Sequence, residues 1–227
     1  MVIEFTGIPG AGKSTIINGV FEKIGKPYFI IDIEAYIKNL FFIRLPGTIG
    51  YDIMLLFNFY RLKNTDFVLM LKSIKQLQEN KNSIKHKINI FRNIFKKLVI
   101  NRILLTKNEC FLVDEGISHI PISLFVDIDT EINISKAEAF YKYLPQVDKV
   151  LLVDAEHESL VERVIKRGEK GHKRIDFSIK KNIELFMSKS RTVIEVSKKK
   201  LKPEMYQNND INVDLDRIIK LIGIKNV

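Results

Sequence analysis

Cysteine occurs once, at Cys110, in a chain of 227 residues, so no internal disulfide can form and packing alone must hold the fold. Its place at the head of the apolar run Cys110-Phe111-Leu112-Val113 suits a small buried side chain. Long apolar runs are missing too. The stretch Ile53 to Phe57 is cut short by Arg61, Lys63 and Asp66, which excludes a transmembrane span. Nothing ahead of the glycine turn at Gly7 is free to serve as a secretory leader, because those residues are needed as a strand, and a cytoplasmic protein is expected. Repeats and low-complexity linkers are absent, so one domain over 1–227 is expected. Acidic residues are lacking altogether from Lys81 to Lys107, where eight cations (Lys81, Lys85, Lys87, Arg92, Lys96, Lys97, Arg102, Lys107) supply most of the net charge of +10. With 46% hydrophobic and 28% charged residues the composition is that of a globular protein and excludes disordered and fibrous classes.

What is present alternates strand and helix. Met1 to Thr6 is a β-branched, alternating run that meets glycines, and Ser14 to Ile24 carries apolar residues at 16, 17, 20, 21 and 24 before Gly25 stops it. Pro27 to Ile31 reads as a second buried strand ending at Asp32, followed by a helix from about Ile33 to Phe42. Pro46, Gly47 and Gly50 break the pattern, and two or three helices fill Tyr51 to Lys107. Cys110 to Asp114 and Lys149 to Asp154 are the third and fourth strands, with helices between them at Ile117 to Val126 and Ser135 to Tyr143. Helices at Glu156 to Gly168 and Ile175 to Lys200, a short fifth strand at Ile211 to Val213 and a last helix capped by Asp214 complete the chain. The fold class is α/β, a five-stranded parallel sheet between helical layers, with a basic helical insertion over about 50–107.

The loop Gly7-Ile8-Pro9-Gly10-Ala11-Gly12-Lys13-Ser14-Thr15 fits GxxxxGK[ST], and it lies between a strand and a helix, as that motif requires. Its glycines turn backbone amides toward phosphate oxygens while the new helix offers free N–H groups and its positive end. Lys13 places a cation at the β and γ phosphates, and the Ser14 hydroxyl is the expected ligand of Mg²⁺. The implied ligand is a nucleoside triphosphate, ATP with magnesium. The third strand ends in Asp114-Glu115-Gly116. Asp114 is the expected second magnesium-holding group, and Glu115, one residue on, is placed to orient or deprotonate a nucleophile, either water or a substrate hydroxyl.

GIPGAGKST at 7–15, the acid after the second strand, VDEG at 113–116 and VLLVDAEHESLVERVIKRG at 150–168 together resemble the P-loop small-molecule kinases, the superfamily of nucleoside, nucleotide and related kinases. The resemblance implies a three-layer P-loop NTPase fold and a carboxylate at the end of the second or third strand that activates the acceptor hydroxyl, here Asp32 or Glu115. It also implies a lid over about 163–175 whose arginines, here Arg163, Arg167 and Arg174, clamp the transferring phosphoryl group. Arg163 and Arg167 are four apart and share a helix face, and the turn Gly168 to Gly171 returns Lys173 and Arg174 to the same neighbourhood. Asp32 can alternatively cap the helix that follows it. The substrate motifs of named subfamilies, Asp-Arg-Tyr or Glu-Arg-Ser after the third strand, are replaced by Asp114-Glu115-Gly116, so no subfamily is assigned.

The expected reaction is transfer of the γ-phosphoryl group of MgATP to a small, anionic or hydroxylated acceptor. The alternative is an ATPase in which Glu115 activates water. The insertion carries an apolar stripe (Ile84, Ile88, Phe91, Ile94 or Phe95, Leu98) flanked by lysines, open to three readings: packing on the rest of the insertion, an anionic-substrate pocket, or a peripheral contact with an anionic membrane or partner. It is also compatible with a homodimer. No nucleic-acid motif accompanies the charge, and no nucleic-acid partner is expected.

Overall fold

The computed structural model describes residues 1–25, 28–31, 56–168, 180–208 and 213–223. Five parallel strands form one sheet in the order β2-β3-β1-β4-β5. They are β1 (Val2–Gly7), β2 (Tyr28–Ile31), β3 (Cys110–Asp114), β4 (Lys149–Asp154) and β5 (Glu204–Gln207). The described helices are α1 (Lys13–Ile24), α2 (Asn64–Glu79), α3 (Ile84–Leu104), α4 (Ile120–Phe125), α5 (Ile134–Tyr141), α6 (His157–Gly168), α7 (Lys180–Leu201) and α8 (Leu215–Leu221). Short 3₁₀ turns lie at Phe59–Arg61 and Ile117–His119.

β1 is the centre of the sheet, and all six of its residues are buried, because a strand with neighbours on both edges and helices on both faces has nowhere to expose a side chain. α1 packs on β1, β2 and β3 and against α8, while α4 joins α2, α3, α5 and α7. The core runs continuously through Ile3, Phe5, Ile16, Leu112, Leu152 and Met187 into the insertion at Leu69 and Leu98. Asp214 caps α8 as its sequence position indicates, accepting from the Arg217 amide at 3.0 Å.

The fifth strand departs from the expected place. It is Glu204–Gln207, pairing in parallel with β4 from Leu151↔Glu204 to Asp154↔Gln207, not Ile211 to Val213; residues 211 and 212 lie outside the described residues and Val213 is not in a strand. Only Tyr206 of β5 is buried, so the strand has almost no apolar signature. The expected helix at 33–42 and residues 175–179 of the long helix also lie outside the described residues.

The insertion is helical, and its apolar stripe divides. Ile94 and Leu98 are buried and Phe91 packs partly against the core, whereas Ile84 and Ile88 are exposed at 77% and 53%, so the first turns of α3 do not pack inward through these residues. Arg102 from the same half forms a two-pronged pair with the fully buried Asp66 of α2, both bonds 2.8 Å. Among the described residues no helix is long and apolar enough to cross a membrane.

Candidate phosphate-binding and phosphoryl-transfer site

Parallel pairing brings the site together. The register Phe5↔Asp114 on one side of β1 and Gly7↔Val153 on the other sets the ends of β3 and β4 beside the loop that leaves β1. Gly7 (φ +146°) runs so close to β4 that a Cβ there would overlap the Val153 carbonyl oxygen. Gly12 is left-handed (φ 88°) and caps α1 without any side-chain hydrogen bond. The first amides of α1 therefore remain available to an anion, at the positive end of the helix. Gly10, Ala11 and Lys13 are buried and Pro9 is half-buried, whereas Ser14 and Thr15 are exposed.

The Lys13 ammonium donates to the Gly7 and Ile8 carbonyls, both at 3.2 Å, and lies 3.1 Å from Glu115 Oε1. Ser14 Oγ donates to Asp114 Oδ2 at 2.7 Å. The other oxygen, Asp114 Oδ1, is buried and accepts no hydrogen bond among the described residues. Burial pushes the Asp114 carboxyl above its ordinary pKa, partly opposed by the Ser14 hydroxyl and Lys13. A hydroxyl, a carboxylate and one unsatisfied carboxylate oxygen at the foot of a phosphate loop fit a magnesium ion that completes its shell with phosphate oxygens and water. Such a site does not need a side-chain cage, and among the described residues no cluster of three or more His, Cys, Asp or Glu exists.

Glu115 has positive φ (53°), uncommon for a non-glycine residue. Its second oxygen lies 3.6 Å from His119 Nε2. His119 first, then Lys13 and Lys97, hold its carboxyl well below the usual carboxylate range, against the opposing effect of burial. The half-buried Lys97 of α3 lies in the field of Glu115, Glu4 and Asp114, and burial draws its own pKa down. One of the eight cations of the basic run is thus directed at the site.

Other expected site residues are distributed unevenly. Arg163 of α6 donates to the Gly10 carbonyl at 3.3 Å, which brings it to the edge of the phosphate loop. Arg167 follows one turn later on α6, but its side chain lies outside the described residues, as do Asp32 and Arg174. The part of the expected lid beyond residue 168 is likewise outside them.

Four residues near the site went unassigned in the sequence. Asn208, just after β5, donates to the Ala11 carbonyl at 2.7 Å and abuts Gly12, and no motif marks it. His119 and Lys97 are ordinary polar residues until β3 is placed beside β1. Glu4 had one usable signal, a carboxylate in the middle of a strand that should be buried on both faces.

No family model matches the chain, and no curated protein does. Solved structures do. A deoxyadenosine kinase from M. mycoides, solved with dCMP and dCDP bound, matches at 18% identity and a TM-score of 0.51, over 98% of this chain and 96% of that one. The thymidylate kinase of Candida albicans matches at 13% identity and a TM-score of 0.55, over 97% of this chain and 90% of that one. The chain has the three-layer P-loop NTPase fold found in nucleoside and nucleotide kinases.

Proposed function

We propose that this protein is a kinase that transfers the γ-phosphoryl group of ATP, with magnesium, to a small-molecule acceptor: a nucleoside, nucleotide, sugar or sugar phosphate. The observation that carries the reading is the Ser14 Oγ to Asp114 Oδ2 contact of 2.7 Å beneath a helix start with no side-chain cap. Hydroxyl and carboxylate would hold the metal, which supplies charge neutralisation between the phosphates. The amides of the loop and α1 bind the phosphate chain, and Lys13 leaves Glu115 to meet the β and γ oxygens. Arg163, Arg167 and Arg174 belong to a lid that adds cations as charge develops.

The proton from the acceptor hydroxyl needs a base. Asp32 or Glu115 would supply it: beside His119 and Lys13 the Glu115 carboxyl is held low and accepts a proton weakly, and departure of Lys13 to the phosphates relaxes part of that hold. The nucleotides bound in the deoxyadenosine kinase make nucleosides and their monophosphates the first acceptors to try. The reading takes residues 1–227 as one domain with its insertion at about 50–107 and its lid at about 163–175, acting in the cytoplasm.

The test is acceptor-stimulated ADP release across nucleosides, nucleotides, sugars and sugar phosphates. One acceptor class should raise ADP release strongly over the rate with ATP alone, and Lys13→Ala should abolish that rise. If every class leaves the rate unchanged, or Lys13→Ala consumes ATP at the wild-type rate, the reading is wrong.

A further inference from the structure

Glu4 is 1% exposed in the middle of β1, an unfavourable place for a carboxylate without compensating hydrogen bonds. Both of its oxygens are occupied. Oε1 accepts from the Ile117 amide and Oε2 from the Ser118 amide, each at 2.7 Å. These are leading amides of the 3₁₀ turn after β3, donors that the turn itself cannot satisfy. Gly116 completes the contact. Its φ of −69° does not demand glycine, yet a Cβ there would overlap Glu4 Oε1. The missing side chain makes room for the carboxylate.

β1 therefore grips the chain on both sides of Glu115. Ahead of it, the Glu115 amide donates to the Phe5 carbonyl at 3.0 Å; behind it, Glu4 holds Ile117 and Ser118. Between these two holds Glu115 keeps its positive φ, a conformation that persists only where the surroundings fix it. Asp114, which meets Ser14, is the residue just before.

We infer that Glu4 is a positioning residue: with Gly116 it clamps the turn after β3 and so sets where Asp114 and Glu115 stand relative to Ser14 and Lys13. This rests on the proposed role of Asp114 in holding magnesium. Glu4 touches neither phosphate nor metal in this reading and acts through the backbone. Glutamine at position 4 keeps the size but presents an NH₂ group to one of two amide donors, so one hydrogen bond is lost and the turn is released.

The experiment measures ATP affinity of the full chain by calorimetry, in EDTA and across a magnesium series, for wild type, Glu4→Gln and Gly116→Ala. Groups that orient a metal ligand typically change metal affinity by about 10- to 100-fold. Both variants should keep ATP affinity in EDTA between that of wild type and about fivefold above it, because the phosphate loop is untouched and a released Glu115 competes less for Lys13, while the magnesium-dependent gain falls about tenfold or more. Amide exchange at Ile117 and Ser118 should quicken in Glu4→Gln. Gly116→Ala keeps Glu4 and alters only the room it needs, so it carries the test if Glu4→Gln does not fold. The clamp is overturned if the magnesium-dependent gain survives in the folded variants. It is equally overturned if affinity in EDTA falls in step with it, since that marks general loosening. A wild type whose ATP affinity ignores magnesium overturns the proposed function together with the clamp, whereas a normal wild type with unaffected variants overturns the clamp alone.

Discussion

Replacing Glu115 by glutamine should tighten the hold on a free triphosphate. In the structure Glu115 Oε1 lies 3.1 Å from the Lys13 ammonium, the cation that phosphate is expected to recruit, and binding must break this pair. Two unit charges at that distance attract by about 5 kcal/mol at an effective dielectric of about 20. Glu115 is 40% exposed, so solvent screening reduces the net value to about 1 kcal/mol. Removing the carboxylate also removes its repulsion of phosphate and takes one of three acids from the surroundings of Lys97, and both effects act in the same direction. The expected gain is about fivefold in ATP affinity without magnesium.

Calorimetric titration in EDTA measures this directly. The gain should shrink between about 50 mM and 500 mM salt, because the screening length falls well below 10 Å. A carboxyl whose folded pKa is depressed stays ionised above the ordinary carboxylate range and loses its pairing only as pH falls through the depressed value, so the pair is intact from about pH 5 upward. Unchanged or weaker ATP binding in Glu115→Gln at low salt would refute the competition between Glu115 and phosphate for Lys13.

Three further outcomes follow from the same geometry. Ser14→Ala removes the hydroxyl that meets Asp114 and should raise the magnesium concentration for half-maximal turnover about tenfold or more; an unchanged magnesium curve would remove Ser14 from the metal shell. Arg102→Met strands the fully buried Asp66 and should cost about 3–5 kcal/mol in a urea melt, against which a loss below about 1 kcal/mol would mean the pair is dispensable. Burial raises the pKa of Glu4 and Asp114, and His119 chiefly lowers that of Glu115, while Lys97 pulls all three down by a smaller amount, so Lys97→Met should move the acid limb of the pH–rate profile upward; a limb that stays or moves down would separate Lys97 from the site.

The sequence made some elements legible because their physics is local. β3 and β4 fall where the apolar runs Cys110–Asp114 and Lys149–Asp154 end in carboxylates, since a central parallel strand is apolar along its length and polar where it opens to the ligand face. The phosphate loop is legible for a similar reason: its glycines, lysine and hydroxyls are contiguous and each is required by close backbone approach or charge. β5 was not. It lies at the sheet edge, buries only Tyr206 and carries less β-branched character than the nearby Ile211-Asn212-Val213, so propensity pointed past it. Glu4 and Ser118 meet across 114 positions, and Asn208 reaches Ala11 across 197. Such contacts depend on strand order, which no local pattern encodes.

The basic run shows why linear charge and spatial charge differ. Eight cations in 27 residues read as one patch, but a helix turns about 100° per residue and distributes them around its axis. In the structure Lys81, Lys85 and Lys107 are exposed, Lys96 is buried, Arg102 is spent on Asp66, and Lys97 faces Glu115, Glu4 and Asp114. A continuous phosphate-tracking stripe would require the cations on one open face. Their actual division, with Arg102 paired to Asp66 inside the insertion and Lys97 in the field of the acids at the end of β3, instead ties the insertion to the candidate site. α3 packs most tightly through its C-terminal half, where Ile94 and Leu98 are buried on either side of Lys97, whereas Ile84 and Ile88 at the other end are exposed.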